Sequence, residues 1–270
     1  MYHSSIKMDE PLYRNLISIG VMLLAAGAVV FVRRKIDPNS LRENNEFTGF
    51  SWTFVGLVYG VYLAFMVIVV WQNFDNADTT VTSEATHLSS LWRDAQMIPG
   101  GDRLQKQLVL YARSVVADDW PAMARGESGS AQTNVVYEDL WRTFYSLRPA
   151  NGDPVQQAFY MEALGQLNDL GVRRRMRLLS GSADLPRPMW LLLIAGGIGM
   201  MGFALCIGTP HRWLQIALTV FLAGFLSYSI LMVHALEQPF SGDIHVKTDA
   251  FESVIDSFEH HAQPSQLPLK

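Results

Sequence analysis

The segment WTFVGLVYGVYLAFMVIVVWQNF, residues 52–74, decides the fold of this chain. It carries no ionised side chain. An α-helix rises about 1.5 Å per residue, so about 20 such residues cross the roughly 30 Å hydrocarbon core of a bilayer. Three more stretches share this character: Leu16–Val32, Met189–Gly208 and Trp213–Leu236. The sequence therefore predicts an all-α membrane protein with four transmembrane helices.

The second span is predicted to continue outside the membrane as one helix. No proline interrupts residues 52–97, and apolar residues keep helical spacing beyond Phe74 until Pro99 and Gly100 break the helix. Three more helices are predicted in the polar insertion that follows: Asp102–Asp118, closed by Trp120-Pro121, Asn134–Leu147 and Pro154–Ser180. This count favours an extramembrane antiparallel helical bundle inserted between spans two and three.

The bundle helices have apolar faces at helical spacing. In the first of them the predicted inward residues are Leu104, Leu108, Tyr111 and Val115. In the last they are Phe159, Ala163, Leu167, Leu170 and Met176. Each helix therefore buries one face and exposes the other.

The predicted organisation has four parts along the chain. Residues 1–74 hold the N-terminal segment and spans one and two, and residues 75–188 hold the bundle. Residues 189–236 hold spans three and four. Residues 237–270 form a C-terminal tail with a short amphipathic helix, Thr248–Phe258.

Composition excludes several classes of function. The net charge of −4 is spread along the chain, whereas nucleic-acid binding needs a concentrated basic face. The only cysteine, Cys206, lies in the third span, so no thiolate metal site is expected. The sequence has no nucleophile elbow, phosphate-binding glycine loop or His-Glu-x-x-His motif. We therefore expect no enzymatic activity, no cofactor, no metal and no nucleic-acid partner.

Several motifs lie between about residues 50 and 258: Gly56-x-x-Tyr59-x-Val61-x-Leu63-x-Phe65-x-Val67, Val70-Trp71-Gln72-Asn73-Phe74, Glu84-Ala85, Tyr111-Ala112, Asp119-Trp120-Pro121 and Pro239-Phe240-Ser241-Gly242. With them, the chain resembles the bestrophin-like family of bacterial and plant membrane proteins, a domain of unknown function. Glu237-Gln238 stands where the resemblance implies an Asp-Arg pair. True bestrophins are anion channels. The likeness to them is in the span layout, without their selectivity motifs.

Small residues recur every four positions on the second span. Gly56, Gly60 and Ala64 allow another helix backbone to approach closely in lipid. That helix is either span one or three of the same chain, or the second span of another subunit around a symmetry axis. Glycines between Gly196 and Gly202 on the third span similarly either permit close packing or line a cavity.

An aromatic and amide collar marks the end of the second span. Trp71 and Phe74 flank Gln72 and Asn73, and Asp75 follows. Aromatic residues are expected at any membrane interface. If second helices from several subunits surround a pore, however, Gln72, Asn73 and Asp75 form rings at its mouth, and such rings set ion selectivity.

Charged residues near other helix ends have two interpretations each. His234 and Glu237 share one face of the fourth span and form either a pH-sensitive, ion-contacting pair or a snorkelling pair that caps the helix. The basic run Arg173–Arg177 binds either anionic lipid headgroups or carbonyl groups late in its helix. Asp118-Asp119 is interpreted as an ordinary solvent-exposed acidic pair at a helix end.

Orientation depends on which basic residues are counted. Four spans put the bundle and both termini on one side, and the other side carries Arg33-Arg34-Lys35, Arg42 and Arg212. The positive-inside rule then puts the bundle in the periplasm of a bacterial inner membrane. Counting Arg173–Arg177 reverses this orientation, and the bestrophin layout implies a cytoplasmic bundle. Because its basic cluster follows the apolar run, the first span is expected to be an uncleaved anchor.

Two hypotheses on function follow. The first is a homo-oligomeric, ion-channel-like assembly for small inorganic ions, with second spans lining the pore and their extensions forming a vestibule. The alternative is a non-conducting membrane-anchored interaction or sensor protein whose bundle binds a partner. The lipid bilayer is a partner in both.

Overall fold

The computed structural model of the chain describes residues 10–149, 153–181 and 185–262, and this part is helical. Residues 1–9 of the predicted N-terminal segment and residues 263–270 of the predicted tail lie outside it. The helices within the described residues are α1 (Glu10–Lys35), α2 (Pro38–Glu43), α3 (Asn45–Ala95), α4 (Gly101–Ser114), a π-helix (Val115–Asp119), α5 (Trp120–Ala124), α6 (Ala131–Ser146), α7 (Pro154–Ser180), α8 (Arg187–Cys206), α9 (Arg212–Glu237) and α10 (Asp249–Ala262).

Four of these helices, α1, α3, α8 and α9, are long and apolar enough to cross a membrane. Helices α1 and α9 extend one to six residues beyond their apolar stretches at each end, α3 continues far past residue 74, and α8 ends at Cys206, two residues before the predicted Gly208. The prediction of four spans is confirmed. The chain is a multi-pass membrane protein, and its spans require a lipid bilayer as their solvent.

Helix α3 runs unbroken for 51 residues, which corresponds to about 77 Å. The predicted continuity past Phe74 is therefore confirmed. After Ala95 the chain turns through Gly100, whose φ of +80° is a left-handed conformation that glycine adopts without a steric penalty. Helix α2 was not predicted. The carboxylate of Asp37 caps it by accepting from the Asn39 N–H at 3.0 Å.

The described chain divides into two compact units. The first holds residues 10–72 and 185–237. Within it, α1 packs on α9, where the Ser18 and Ser227 hydroxyl oxygens lie 2.9 Å apart. Helix α3 meets α8, where the Tyr59 hydroxyl donates to the Leu193 carbonyl at 3.0 Å. These helices thus combine apolar packing with satisfied polar groups, as lipid surroundings require.

The second unit holds residues 73–181 and 238–262, and has its own apolar core. The buried core residues include Leu88, Leu91, Leu104, Leu108, Tyr111, Leu140, Phe144, Leu167, Leu170 and Phe251. The predicted inward face of α4 is confirmed. On α7 the prediction of an inward Met176 is wrong, because that residue is 46% exposed. Arg174 and Arg177 point inward in its place.

The helix predicted at 102–118 does not close at Trp120-Pro121. It passes through the π-helix, where the Trp120 N–H bonds to the Val115 carbonyl, into α5. Pro121 lies in the first turn of α5, where its missing N–H costs no hydrogen bond. The wider π turn rotates the residues after it relative to α4. As a result, Asp119 and Trp120 are both buried in the second unit.

Candidate functional site

The collar residues at the end of the second span are exposed on the single chain. Gln72, Asn73 and Asp75 all lie on the surface of α3, whereas Phe74 between them is half-buried. At about 100° per residue around α3, Asn73 lies about 160° from Asp75. The three collar residues therefore do not share one direction.

The small residues of the second span have different surroundings. A Cβ placed on Gly56 would lie 3.1 Å from Cε of Met200 on α8, so Gly56 packs inside the chain. Among the described residues, no atom outside the local helix backbone lies within 4 Å of the corresponding position at Gly60, and Ala64 is exposed. Packing within the chain therefore applies to Gly56, which contacts span three. Gly60 has an open face, so packing between subunits remains the interpretation for that residue.

The glycines of the third span divide in the same way. Gly196 and Gly197 lie against the ring of Tyr59, so they permit α3 and α8 to approach closely. Gly199 and Gly202 face open space on this chain.

His234 and Glu237 lie close together near the start of α8. The Glu237 carboxylate accepts from the Leu185 N–H at 2.6 Å and from the Trp190 indole N–H at 3.1 Å. Nδ1 of His234 is 3.7 Å from the other oxygen of Glu237, and its ring meets Trp190 edge-on at 5.8 Å. The histidine side chain is 59% exposed and that of Glu237 is 8% exposed. Glu237 therefore joins the end of α9 to the start of α8.

A buried ionic network, which we define as Glu84, Asp119, Arg174 and Arg177, was missed by sequence reasoning. Arg177 donates from Nε to Glu84 at 2.7 Å, and from its terminal nitrogen to Glu84 at 3.2 Å and to Asp119 at 3.0 Å. The side chains of Arg177, Glu84 and Asp119 are fully buried. Arg177 therefore binds neither lipid headgroups nor helix carbonyls, and Asp119 is not solvent-exposed, so both expectations are wrong for these residues.

Arg174 supplies the second cation of the network. One of its terminal nitrogens donates to the Asn134 side chain at 2.5 Å, and its guanidinium lies 4.7 Å from the centre of the Tyr137 ring. Its Nε is buried without a hydrogen-bond partner among the described residues. The two carboxylates of the network, by contrast, are both paired with Arg177. This pairing with Arg177 is what makes burial of Glu84 and Asp119 tolerable.

Neutral groups complete the network. The Tyr111 hydroxyl donates to Glu84 at 2.5 Å, and the backbone N–H of Ser130 donates to Asp119 at 2.7 Å. Burial and the Glu84 carboxylate raise the pKa of Tyr111 well above its usual range. Burial alone lowers the pKa of Arg177, but the facing Glu84 carboxylate reverses this and holds that pKa well above its usual range. Arg177 is therefore charged and Tyr111 neutral at physiological pH.

The segment after the fourth span covers this network. Trp120 packs edge-on against Phe240 and Phe251, at 5.7 and 5.9 Å between ring centres. Its indole N–H donates to the Val246 carbonyl at 3.2 Å. The Arg177 guanidinium lies 5.9 Å from the centre of the Phe251 ring. Aromatic rings from α5 and α10 thus exclude water from the ion pairs.

The sequence does contain a signal for the network. The inward stripe of α7, Ala163, Leu167 and Leu170, continues with the same three- and four-residue spacing to Arg174 and Arg177. Glu84 similarly continues the inward stripe of Ala77 and Val81 on α3. A charge on an apolar stripe indicates a buried ion pair, because an unpaired buried charge is very costly.

A polar cluster also joins helix ends within the first unit. Arg33 donates to the Gln215 side chain and to the Thr209 carbonyl, both at 2.8 Å. The Asn45 side chain donates to the Gly208 carbonyl at 2.7 Å and accepts from the Gly208 N–H at 2.8 Å. These bonds tie the end of α1 and the start of α3 to the loop between α8 and α9. Among the described residues, no group of three His, Cys, Asp or Glu could hold a metal ion.

The fold is similar to that of solved bacterial bestrophin homologs. Two structures of a homolog from Klebsiella pneumoniae, each with a point mutation, superpose with a TM-score of 0.69. The first is 13% identical to this chain, and the alignment covers 90% of this chain and 99% of the homolog. The second is 12% identical, and the alignment covers 97% of this chain and 100% of the homolog. A third structure, also of a Klebsiella pneumoniae homolog, superposes with a TM-score of 0.67 at 12% identity. The alignment covers 92% of this chain and 99% of that homolog. At such identities the likeness concerns the fold alone.

Sequence comparison identifies the family. No curated protein matches the chain. Residues 19–251, however, match the Bestrophin-like domain. The match begins within the first span and takes in the other three spans and the helices between them, so the resemblance carried by the motifs is confirmed. This chain therefore belongs to the bestrophin-like family of membrane proteins.

Proposed function

We propose that copies of this chain assemble around a symmetry axis into an ion-channel-like oligomer, with α3 lining the pore. The observation that carries the proposal is the exposed face of α3. Gly60 and Ala64 lie about 40° apart around the second span and are exposed on the single chain, and Asp75 is exposed on the extension of α3. Small residues on a span allow close approach of another helix. A second copy of α3 is the occupant that this face suits best.

The proposed pore has a carboxylate ring at its mouth. In the proposed assembly Asp75 faces the axis, so one carboxylate per subunit enters the ring. Such a ring concentrates cations and repels anions. In this arrangement Gln72, about 60° from Asp75 around α3, supplies an amide to the same mouth. Asn73 points away from the axis in this arrangement, so we do not assign it a contact with the ions.

Beyond Asp75 the proposed lining consists of hydroxyl groups. Thr79, Thr82 and Thr86 are exposed on α3. They lie within roughly 50° of Asp75 on the helix wheel. A wall of hydroxyl groups stays hydrated and carries no net charge, which suits a vestibule that conducts ions without retaining them. We assign the extension of α3 to this vestibule.

His234 and Glu237 receive a positioning role in this proposal. One oxygen of Glu237 accepts from two N–H donors, and the other lies 3.7 Å from Nδ1 of His234, beyond hydrogen-bond distance. Glu237 is therefore held at the start of α8 through one of its oxygens. We assign the pair to fixing the junction of α8 and α9.

The proposed topology places the helices between spans two and three outside the membrane as a bundle on the periplasmic side. Arg34, Arg42 and Arg212 then face the cytoplasm, as the positive-inside rule favours. The test uses Cys206→Ser as background, with single cysteines at the exposed positions Arg125 and Arg42. A membrane-impermeant maleimide on intact cells should label Arg125→Cys and not Arg42→Cys. The reverse pattern would place the bundle in the cytoplasm.

One experiment separates the channel from the anchored interaction protein. The purified chain is reconstituted into vesicles, and subunit stoichiometry and ion conductance are measured on the same sample. The proposal expects an oligomer that conducts. If ion flux does not exceed that of protein-free vesicles at any voltage or pH, whether the protein is an oligomer or a monomer, the function is that of a non-conducting interaction or sensor protein.

A further inference from the structure

A basic groove lies between α4 and α6 in the second unit. Its cavity measures about 440 Å³. Arg103, Lys106 and Arg142 line it, together with the polar side chains of Gln107 and Thr143. Leu110 forms an apolar part of its wall. We call this site the α4–α6 groove.

The charges of the α4–α6 groove have one sign. Three cationic side chains line it, and no carboxylate does. The side chains of Arg103 and Lys106 form no hydrogen bond or ion pair with another described residue, and both are exposed. Arg142 donates to Asp139 at 2.8 Å, one turn away on the same helix, and its side chain is 75% exposed. A cleft lined by like charges concentrates ions of the opposite sign.

The chemistry of the lining specifies the ligand class. Guanidinium and ammonium groups are hydrogen-bond donors without acceptor capacity, and the Gln107 amide and Thr143 hydroxyl add neutral donors. Arginine binds phosphate oxygens through paired N–H groups, and lysine binds them as a point charge. Three cations around one cavity favour a ligand with more than one negative charge.

The position of the groove favours a soluble ligand. Gln105, on the same helix as Arg103, donates to the Trp92 carbonyl at 3.1 Å, so the groove lies at the Ala95 end of α3. Within this unit that end is about 33 Å along α3 from Asn73. A lipid headgroup near the end of the span is therefore too distant to be the natural occupant.

We propose that the α4–α6 groove binds a small soluble anion of the phosphate or pyrophosphate class. The inference is independent of whether the chain conducts ions, because it rests on the groove alone.

The test measures pyrophosphate binding by titration calorimetry with the full chain in a zwitterionic detergent. Arg103→Gln combined with Lys106→Gln should weaken binding at least tenfold, because each lost charge-assisted hydrogen bond is worth a factor of about ten or more. Arg125→Gln is the matched control. It removes an exposed arginine that lies outside the groove and pairs with Glu127, and it should leave the affinity unchanged.

A third variant changes the affinity in the other direction. Asp139→Asn releases Arg142 from its ion pair and should tighten pyrophosphate binding severalfold. No binding to the wild-type chain would overturn the proposal, as would equal loss in Arg125→Gln and the double variant. Weaker or unchanged binding in Asp139→Asn would also contradict it, because Arg142 would then have no part in the site.

Discussion

Arg177 and Glu84 form an ion pair of 2.7 Å between side chains that are both completely buried, although they lie 93 residues apart in sequence. The pair joins α7 to α3 inside the second unit. Because Arg177 also bonds to Asp119, a single guanidinium holds three helical segments together. Tyr111 and the aromatic rings of Trp120 and Phe251 keep it dry.

Removing one member of this network should destabilise the fold. Glu84→Gln leaves Arg177 in an apolar core with Asp119 as its remaining carboxylate. Breaking a buried ion pair in this way costs about 3–5 kcal/mol. Thermal unfolding of the detergent-purified protein, followed by circular dichroism, should show a clear fall in Tm. Glu127→Gln, which breaks the exposed pair with Arg125, should leave Tm unchanged. Equal Tm values for both variants would contradict a structural role for the network.

Alkaline pH should destabilise the protein through Tyr111. Burial and Glu84 raise the pKa of this phenol above its unfolded value of about 10. The stabilisation from the neutral phenol is therefore complete below pH 10 and is lost as pH rises through the folded pKa. Tyr111→Phe cannot ionise, so its Tm should fall less steeply above pH 10. Tyr145→Phe, at a 59% exposed position, should keep the wild-type slope. Identical slopes for all three proteins would refute this account.

The segment after the fourth span should be an integral part of the second unit. Phe251 is 0% exposed and packs on Trp120. Phe251→Ala should therefore cost about 3–5 kcal/mol and hydrate the ionic network. Hydrogen exchange should accelerate at the amides around Trp120 as well as in α10. Ser253→Ala, at an exposed position of the same helix, is the control. Faster exchange confined to α10 would mean that the network does not depend on this cover.

The spans and some helix boundaries were predictable because they depend on local properties. Long runs without charge predict membrane helices, and the breaker at Pro99 and Gly100 predicts where α3 ends. The observed α7, Pro154–Ser180, has the predicted bounds because proline at the first turn marks a helix start. Such signals involve residues close together in sequence.

The buried network was missed because its partners are distant in sequence. Nothing near Asp119 indicates that Arg177, 58 residues later, will neutralise it. The π-helix that buries Asp119 has no simple sequence signature. Likewise, which small residue of the second span contacts Met200 depends on how α3 and α8 pack. The spacing of Gly56, Gly60 and Ala64 did not separate these roles.

Two glycine substitutions should separate packing within the subunit from assembly. Gly60→Leu adds bulk where no described atom outside the local helix backbone lies within 4 Å, so the subunit should fold while the oligomer dissociates. Gly56→Leu adds bulk against Met200 and should lower Tm within the subunit. Light scattering in detergent measures the first effect and thermal unfolding the second. A Gly60→Leu protein with wild-type stoichiometry would exclude this face from the subunit interface.

The most direct measurement of the central claim is the cation-to-anion permeability ratio of reconstituted vesicles, for wild type, Asp75→Asn and Asn73→Asp. The account predicts that Asp75→Asn lowers this ratio, most strongly at low salt, where charge is least screened. Asn73→Asp adds a carboxylate at almost the same depth, but on the opposite side of α3, and should leave the ratio unchanged. Equal ratios in wild type and Asp75→Asn, or flux at the lipid background in all three proteins, would contradict a pore lined by α3.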